Sequence, residues 1–174
     1  MQALTGNKIH LRALELEDLD FLFSVENDIS FWEVSSTQTP FSRHILQQYL
    51  ENAHLDIYEA KQLRLIIAEN KTHKNVGIID LFDFNPLHKR SGIGVLILED
   101  EQQKGYASEA LNLLINYSFN QLNLHQIYAN ITTDNKNSIQ LFKKYNFTKI
   151  GVKKEWIYTQ GKFKDEILFQ LLNT

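Results

Sequence analysis

A chain of 174 residues, 43% hydrophobic, 22% charged and 11% aromatic, is sized for one domain around one core. Its lack of cysteine excludes a disulfide framework, thiolate metal ligands, iron–sulfur clusters and a cysteine nucleophile. A net charge of −3, from 18 basic and 21 acidic side chains, lacks the basic surface that general nucleic-acid binding requires.

The first residues carry no basic region followed by an apolar run, and no uninterrupted apolar stretch of ~20 residues is present. The expectation is a cytosolic protein that meets neither membrane nor nucleic acid. Residues 9–14 alternate and predict a first strand. Glu15, Glu17, Asp18 and Asp20 then gather at the start of a helix expected to reach Asn27, where carboxylates suit the positive end of the helix dipole. Residues 28–41, with Asp28, Ser30, Ser35, Ser36 and Pro40, have no period and read as a loop. Ser42 is expected to cap a second helix carrying Ile45, Leu46, Tyr49, Leu50 and Ala53 at helical spacing.

Strands are predicted over 63–68 and 76–84, around a polar turn at 70–75, and again over 92–98 after a loop holding Pro86 and His88. Residues 106–120 give the clearest helix, with Ala107, Ala110, Leu111, Leu114, Ile115 and Ser118 in one stripe that reads as core packing. A strand over 126–132, a short helix over 137–145 and a closing pair, 148–158 and 163–172, complete the order. The fold class is α+β, with a mostly antiparallel sheet and about four helices.

Four of the seven glycines fall between Gly77 and Gly105. The informative unit is Gln102-Gln103-Lys104-Gly105-Tyr106-Ala107, between a strand and the best helix. A helix start offers unpaired N–H groups and partial positive charge, the setting that binds phosphate. Gly105 and Ala107 keep bulk away from it, Lys104 adds charge at the mouth, and Ser108 adds a hydroxyl donor. Alone, Gln-x-x-Gly-x-Ala is a weak pattern that more often marks a plain strand-to-helix turn; it is neither the dinucleotide fingerprint nor a Walker loop.

Downstream come Asn135-Lys136-Asn137-Ser138, a short helix, and Tyr145-Asn146-Phe147. With these the chain resembles the GNAT superfamily of N-acetyltransferases, in the branch of spermidine and ribosomal-protein N-terminal acetyltransferases. Gln102, Gly105 and Ala107 match that superfamily's Arg/Gln-x-x-Gly-x-Gly/Ala loop, and Asn135 and Ser138 its Asn-x-x-Ser/Ala. The usual Gly-Phe ending is similar to Asn146-Phe147, and residues 80–90 (Asp-Leu-Phe-Asp-Phe-Asn-Pro-Leu-His-Lys-Arg) resemble spermidine acetyltransferases in particular. The resemblance runs over essentially the whole chain, read as one acetyltransferase domain at 1–174 with its acetyl-CoA core at about 77–147.

The resemblance implies a pantetheine arm against the backbone of Val95, Leu96 and Ile97, and a pyrophosphate on the amides from Gln103 to Ser108. It adds Asn135, Ser138, Phe142 and Lys144 to the acetyl-CoA side. It implies direct attack of a neutral amine on the thioester. Without Cys, a route through an acyl-cysteine is closed. An alkylamine of pKa ~10 needs a proton acceptor near neutral pH. Glu33 and His88 are the expected acceptors, and Trp32, Glu33, Asp80 and Asp83 the expected amine-binding residues. Phe142 stands where many members carry a Tyr acid, so protonation of the thiolate would pass to Ser138, to Tyr145, to water, or to no group at all. No metal is expected. The acceptor is a small amine or polyamine, or alternatively a protein N-terminus; a CoA-binding sensor without catalysis is the reading from another class. Relatives imply a homo-oligomer, dimer or larger.

Overall fold

The computed structural model describes residues 2–174. One sheet runs through it in the order β1-β2-β3-β4-β5-β7-β6. The strands are β1 (Ile9–Arg12), β2 (Leu63–Glu69), β3 (Asn75–Asn85), β4 (Arg90–Ile97), β5 (Gln126–Thr132), β6 (Thr148–Thr159) and β7 (Lys162–Leu172). Every neighbour pair is antiparallel except β4 with β5, which is parallel. The helices are α1 (Leu19–Glu26), α2 (Ile29–Ser35), α3 (Arg43–Glu51), α4 (Ile57–Ala60), α5 (Tyr106–Asn120) and α6 (Lys136–Lys144). No helix among the described residues is long and apolar enough to cross a membrane.

Both faces of the central sheet are covered. On one, Leu65 and Ile67 of β2 join Ile79 and Leu81 of β3 beneath Leu111 and Leu114 of α5. On the other, Ile66, Ala68 and Ile78 meet Leu22 and Val25 of α1 and Leu46 and Leu50 of α3. A strand buried on both faces reads as a continuous apolar run rather than an alternation, which accounts for Leu65-Ile66-Ile67-Ala68. A polar knot ties β1 to α1: Arg12 grips buried Asp18 at 2.7 and 2.8 Å, and Asn75 bonds both partners. Burial alone would raise the Asp18 carboxyl, but Arg12, the Glu15 amide and Asn75 hold it below its ordinary value.

Among the described residues there are six α-helices where about four are expected. Residues 28–41 are not all loop: Asp28 accepts from the Ser30 amide, opens α2, and left-handed Ser36 (φ 57°) closes it. None of its seven residues is buried, so it leaves no apolar period to read. Helix α4 is a single turn capped by Asp56. The predicted cap of α3 is present, Ser42 accepting from Ile45 N–H at 3.2 Å, and Asn135, expected only on the acetyl-CoA side, also caps α6 by accepting from Ser138 N–H at 3.2 Å.

Candidate active site

The parallel pairing of β4 with β5 stops after three residues, at Gly92 opposite Tyr128. Beyond it β4 continues to Ile97 bonded only to β3, and β5 continues to Thr132 bonded only to β7. Two strand edges therefore face a gap, each with peptide groups that seek a partner. Gly92 fixes the apex: a Cβ there would lie 2.2 Å from the Phe82 ring, which packs against it.

The gap is a cleft of 330 Å³ that passes through the sheet. Ile93, Gly94 and Val95 line one wall and residues 129–132 the other. Asn135, Ser138 and Phe142 of α6 bound it on the α5 side, and Glu33, Val34 and Ser36 from α2 on the opposite side. Lys153, Trp156 and Glu166 of the β6–β7 hairpin complete it. Phe142 is buried and packs edge-on against Phe147, with centroids 5.0 Å apart.

Past the wide end of the gap, β4 leads through a 3-10 turn into α5. Gln103 (φ 62°) and Gly105 (φ 84°) are both left-handed, and no side chain caps α5. The first amides of a helix have no intrahelical partner, so this turn leaves a cradle of N–H donors. A Cβ on Gly105 would lie 3.2 Å from Lys8 Nζ, which itself donates to the Lys104 carbonyl at 2.9 Å. Lys104 pairs with Glu101 at 2.7 Å, Gln102 reaches the Ile97 carbonyl, and Tyr106 is buried with its hydroxyl on Glu69. Lys144 donates to the Ser108 hydroxyl at 2.9 Å, and Tyr145 shares a 2.8 Å bond with it. The end of α6 thereby brings one more cation to the start of α5. Cradle, open strand edge and through-sheet gap together fit a long ligand with phosphate at one end and amides along its arm.

The other mouth is built from charged side chains. Lys164 spans Glu33 (2.8 Å) and Asp134 (2.7 Å), and these two acids hold its ammonium above its ordinary value. Lys153 pairs with Glu166, donates to Asn130 at 3.1 Å and lies 5.0 Å from the centre of the Trp156 ring. A bulge in β6 between Lys153 and Ile157 throws Trp156 out of the ladder. Lys153, Lys164, Glu166 and Trp156 escaped the sequence reading. Only the cross-strand register, Lys153 opposite Glu166, would have signalled them.

Several expected residues stand elsewhere. Asp80 faces α1 and α3, where Arg64 binds its carboxylate at 2.8 and 3.3 Å and also holds Glu26. Burial pushes the Asp80 carboxyl up against the pull of that guanidinium, and it does not line the cleft. Asp83 is exposed at a left-handed position beside the Tyr128 hydroxyl (3.3 Å). Trp32 turns its indole N–H to the Glu26 carbonyl at 2.9 Å. His88 sits on the β3–β4 turn, at the narrow end of the gap and exposed. None of these three lines the cleft. Leu96 and Ile97 lie on the free edge of β4 beyond the lining side chains.

This sheet, split between a parallel pair beside a phosphate-type helix start, has the shape of a site for a long phosphate-ended ligand. Residues 8–148 match the model of the Acetyltransferase (GNAT) domain, and the chain belongs to that family of N-acetyltransferases, which take acetyl-CoA as cosubstrate. Spermidine N(1)-acetyltransferase of Vibrio cholerae serotype O1 is 27% identical over 164 residues, covering 92% of this chain and 90% of that protein. The crystal structure of spermidine N-acetyltransferase from Vibrio cholerae in complex with CoA and spermine matches with a TM-score of 0.86 at 26% identity, over 96% of both chains. A dodecameric structure of the same enzyme in an intermediate state matches at 0.81 and 27%, over 96% of this chain and 95% of that one.

Proposed function

We propose that this enzyme acetylates a primary amine of a small polycation of the polyamine class. One observation carries the reading: the mouth of the cleft away from the cofactor cradle is lined by carboxylates that already hold alkylammonium groups, those of Lys164 and Lys153. An amine substrate presents the same group, and the Trp156 face offers it a cation–π contact. The similarity to spermidine acetyltransferases supports the same class.

In this reading the amides from Gln103 to Ser108 bind the pyrophosphate, with Lys104 and Lys144 supplying charge and Gln102 and Tyr106 fixing the turn. The free edge of β4, at Val95, Leu96 and Ile97, pairs with the pantetheine amides and offers an N–H to the thioester carbonyl, whose oxygen gains charge as the amine attacks. Glu33 takes the amine proton, directly or through one water. Ser138 or water returns a proton to the thiolate, an easier task because a thiol of pKa about 8.5 leaves readily. Asn135 caps α6 and holds Ser138 at the cleft.

The test is a panel of polyamines, monoamines and peptides with free N-termini, following thiol release from acetyl-CoA. Turnover strongest with polyamines is the expected result; turnover with peptides alone, or tight acetyl-CoA binding with no turnover at all, overturns it. We also propose that the chain works as a homo-oligomer. The dodecameric relative and the exposed aromatic tip of the β6–β7 hairpin, Tyr158 against Phe163, support this. A monomer in sedimentation velocity overturns it.

A further inference from the structure

Helix α6 carries two different faces. Asn135, Ser138 and Phe142 line the cleft, while Lys136, Gln140 and Lys143, at i, i+4 and i+7, form a stripe on another side. That stripe encloses a second groove, of 470 Å³, against β6 and β7. Half-buried Ile139, above buried Ile167 and Phe169, gives it an apolar floor, and Lys136, Lys143 and Lys149 stand around it.

The charge pattern there is unlike the rest of the chain. Between Asp134 and Glu155 the sequence has six lysines and no carboxylate, in a protein whose net charge is −3. Lys153 and Lys154 find acids on β7, and Lys144 turns to Ser108 at the start of α5. The remaining three are those around the groove. Among the described residues none of them has a carboxylate within ion-pair distance; Lys136 donates only to the Thr133 carbonyl, at 2.7 Å. Three mutually repelling ammonium groups around an apolar floor favour one kind of occupant, whose charge neutralises the rim and whose tail covers the floor.

We propose that this groove is a binding site for a small amphipathic anion, a carboxylate or phosphate monoester carrying a short apolar chain. The site lies on a different side of α6 from the acetyl-CoA cleft, so both ligands bind together. A neutral or cationic molecule with the same tail gains nothing from the rim.

The experiment is calorimetric titration of the full chain, saturated with CoA, with octanoate, octyl phosphate, octanol and octylamine. One or both anions are expected to bind with a Kd of about 1 mM or tighter, the range for ligands of this size; which one binds distinguishes carboxylate from phosphate. Octanol and octylamine are expected to bind at least tenfold more weakly. Lys143→Glu/Lys149→Glu is expected to weaken the anion at least tenfold, while Lys162→Glu, at the hairpin turn, leaves it unchanged. Circular dichroism and thermal melting establish that the variants are folded. The proposal is overturned if neither anion binds, if octanol binds equally well, if CoA displaces the anion, or if the double variant keeps its affinity. It is equally overturned if the double variant alters the sedimentation coefficient and not the anion affinity, since the groove is then an interface between copies of the chain.

Discussion

The two mouths of the cleft are made in different ways. The mouth proposed for the cofactor is mostly backbone: a strand edge whose partner departs after Gly92, and the uncapped start of α5. The mouth proposed for the amine is almost all side chain, with Glu33 from α2 meeting Lys164 from β7 across 131 residues of sequence. Backbone recognition of phosphate and amide tolerates many sequences, provided bulk stays out of the way. Recognition by paired charges depends on each individual side chain and is easily retuned. Substitutions at the first mouth should therefore abolish cofactor binding, and those at the second should change amine kinetics while sparing the cofactor.

The largest effect is expected from Gly105→Glu. The residue is left-handed at φ 84°, its Cβ would approach Lys8, and its carboxylate would face the phosphate cradle. Acetyl-CoA affinity by calorimetry should fall at least a hundredfold while circular dichroism and the thermal midpoint show a folded domain. Affinity retained within threefold would mean that the cradle is elsewhere.

The same contrast explains what could be read in advance. The helix at 106–120 and the strand at 126–132 stand where the periodicity puts them, because one face of each is packed. The left-handed turn and helix start proposed to hold the cofactor were legible as local structure because their parts are contiguous and need small residues at fixed spacing. The amine mouth was not. Asp80 looks like a substrate residue in a linear reading, yet the register places it opposite Arg64 on β2 and commits its charge there. Glu166 and Lys153 become neighbours only when β6 pairs with β7, and Trp156 faces the cleft only because of a bulge. Helix α2 fully buries none of its residues and so left no pattern, although it delivers Glu33.

A smaller and more selective effect is expected at the amine mouth. Glu33→Gln removes one of two acids that hold Lys164, and in the proposed mechanism the proton acceptor. Steady-state kinetics should show kcat/KM for a polyamine falling about twentyfold, short of the ~10²–10⁴-fold that a general base contributes in full, because water still accepts the proton. KM for acetyl-CoA should move less than twofold. If both substrates weaken together, the two mouths are one unit and the distinction between them fails.

A change outside both mouths should touch neither. Removing one partner of a buried ion pair costs 3–5 kcal/mol, and the 31% exposure of Arg12 reduces the expectation for Asp18→Asn to about 2 kcal/mol. Because the folded Asp18 carboxyl lies below its ordinary value, its contribution is complete above about pH 4 and is lost as pH falls through the folded value. Urea melts of the wild type and the variant should thus differ by a constant amount from pH 7 to about 4 and converge below. Kinetic constants per folded molecule should be unchanged. A gap that persists unaltered to pH 2.5 would assign the stabilisation to packing instead of charge.

The smallest effect is expected where the two mouths meet. Phe142 is part of the cleft wall, buried and packed edge-on against Phe147, and so has a structural reason to be aromatic without a hydroxyl. Adding one by Phe142→Tyr introduces an acid of pKa about 10 into a site where the departing thiol, at about 8.5, is already the stronger acid. If water or Ser138 supplies that proton, the new hydroxyl relieves no bottleneck and kcat should change less than threefold across pH 6–9. A tenfold gain that disappears in Phe142→Leu would show that thiolate protonation limits turnover. It would also show that this chain lacks an acid the geometry is ready to use, and the cofactor mouth would then carry side-chain chemistry of its own.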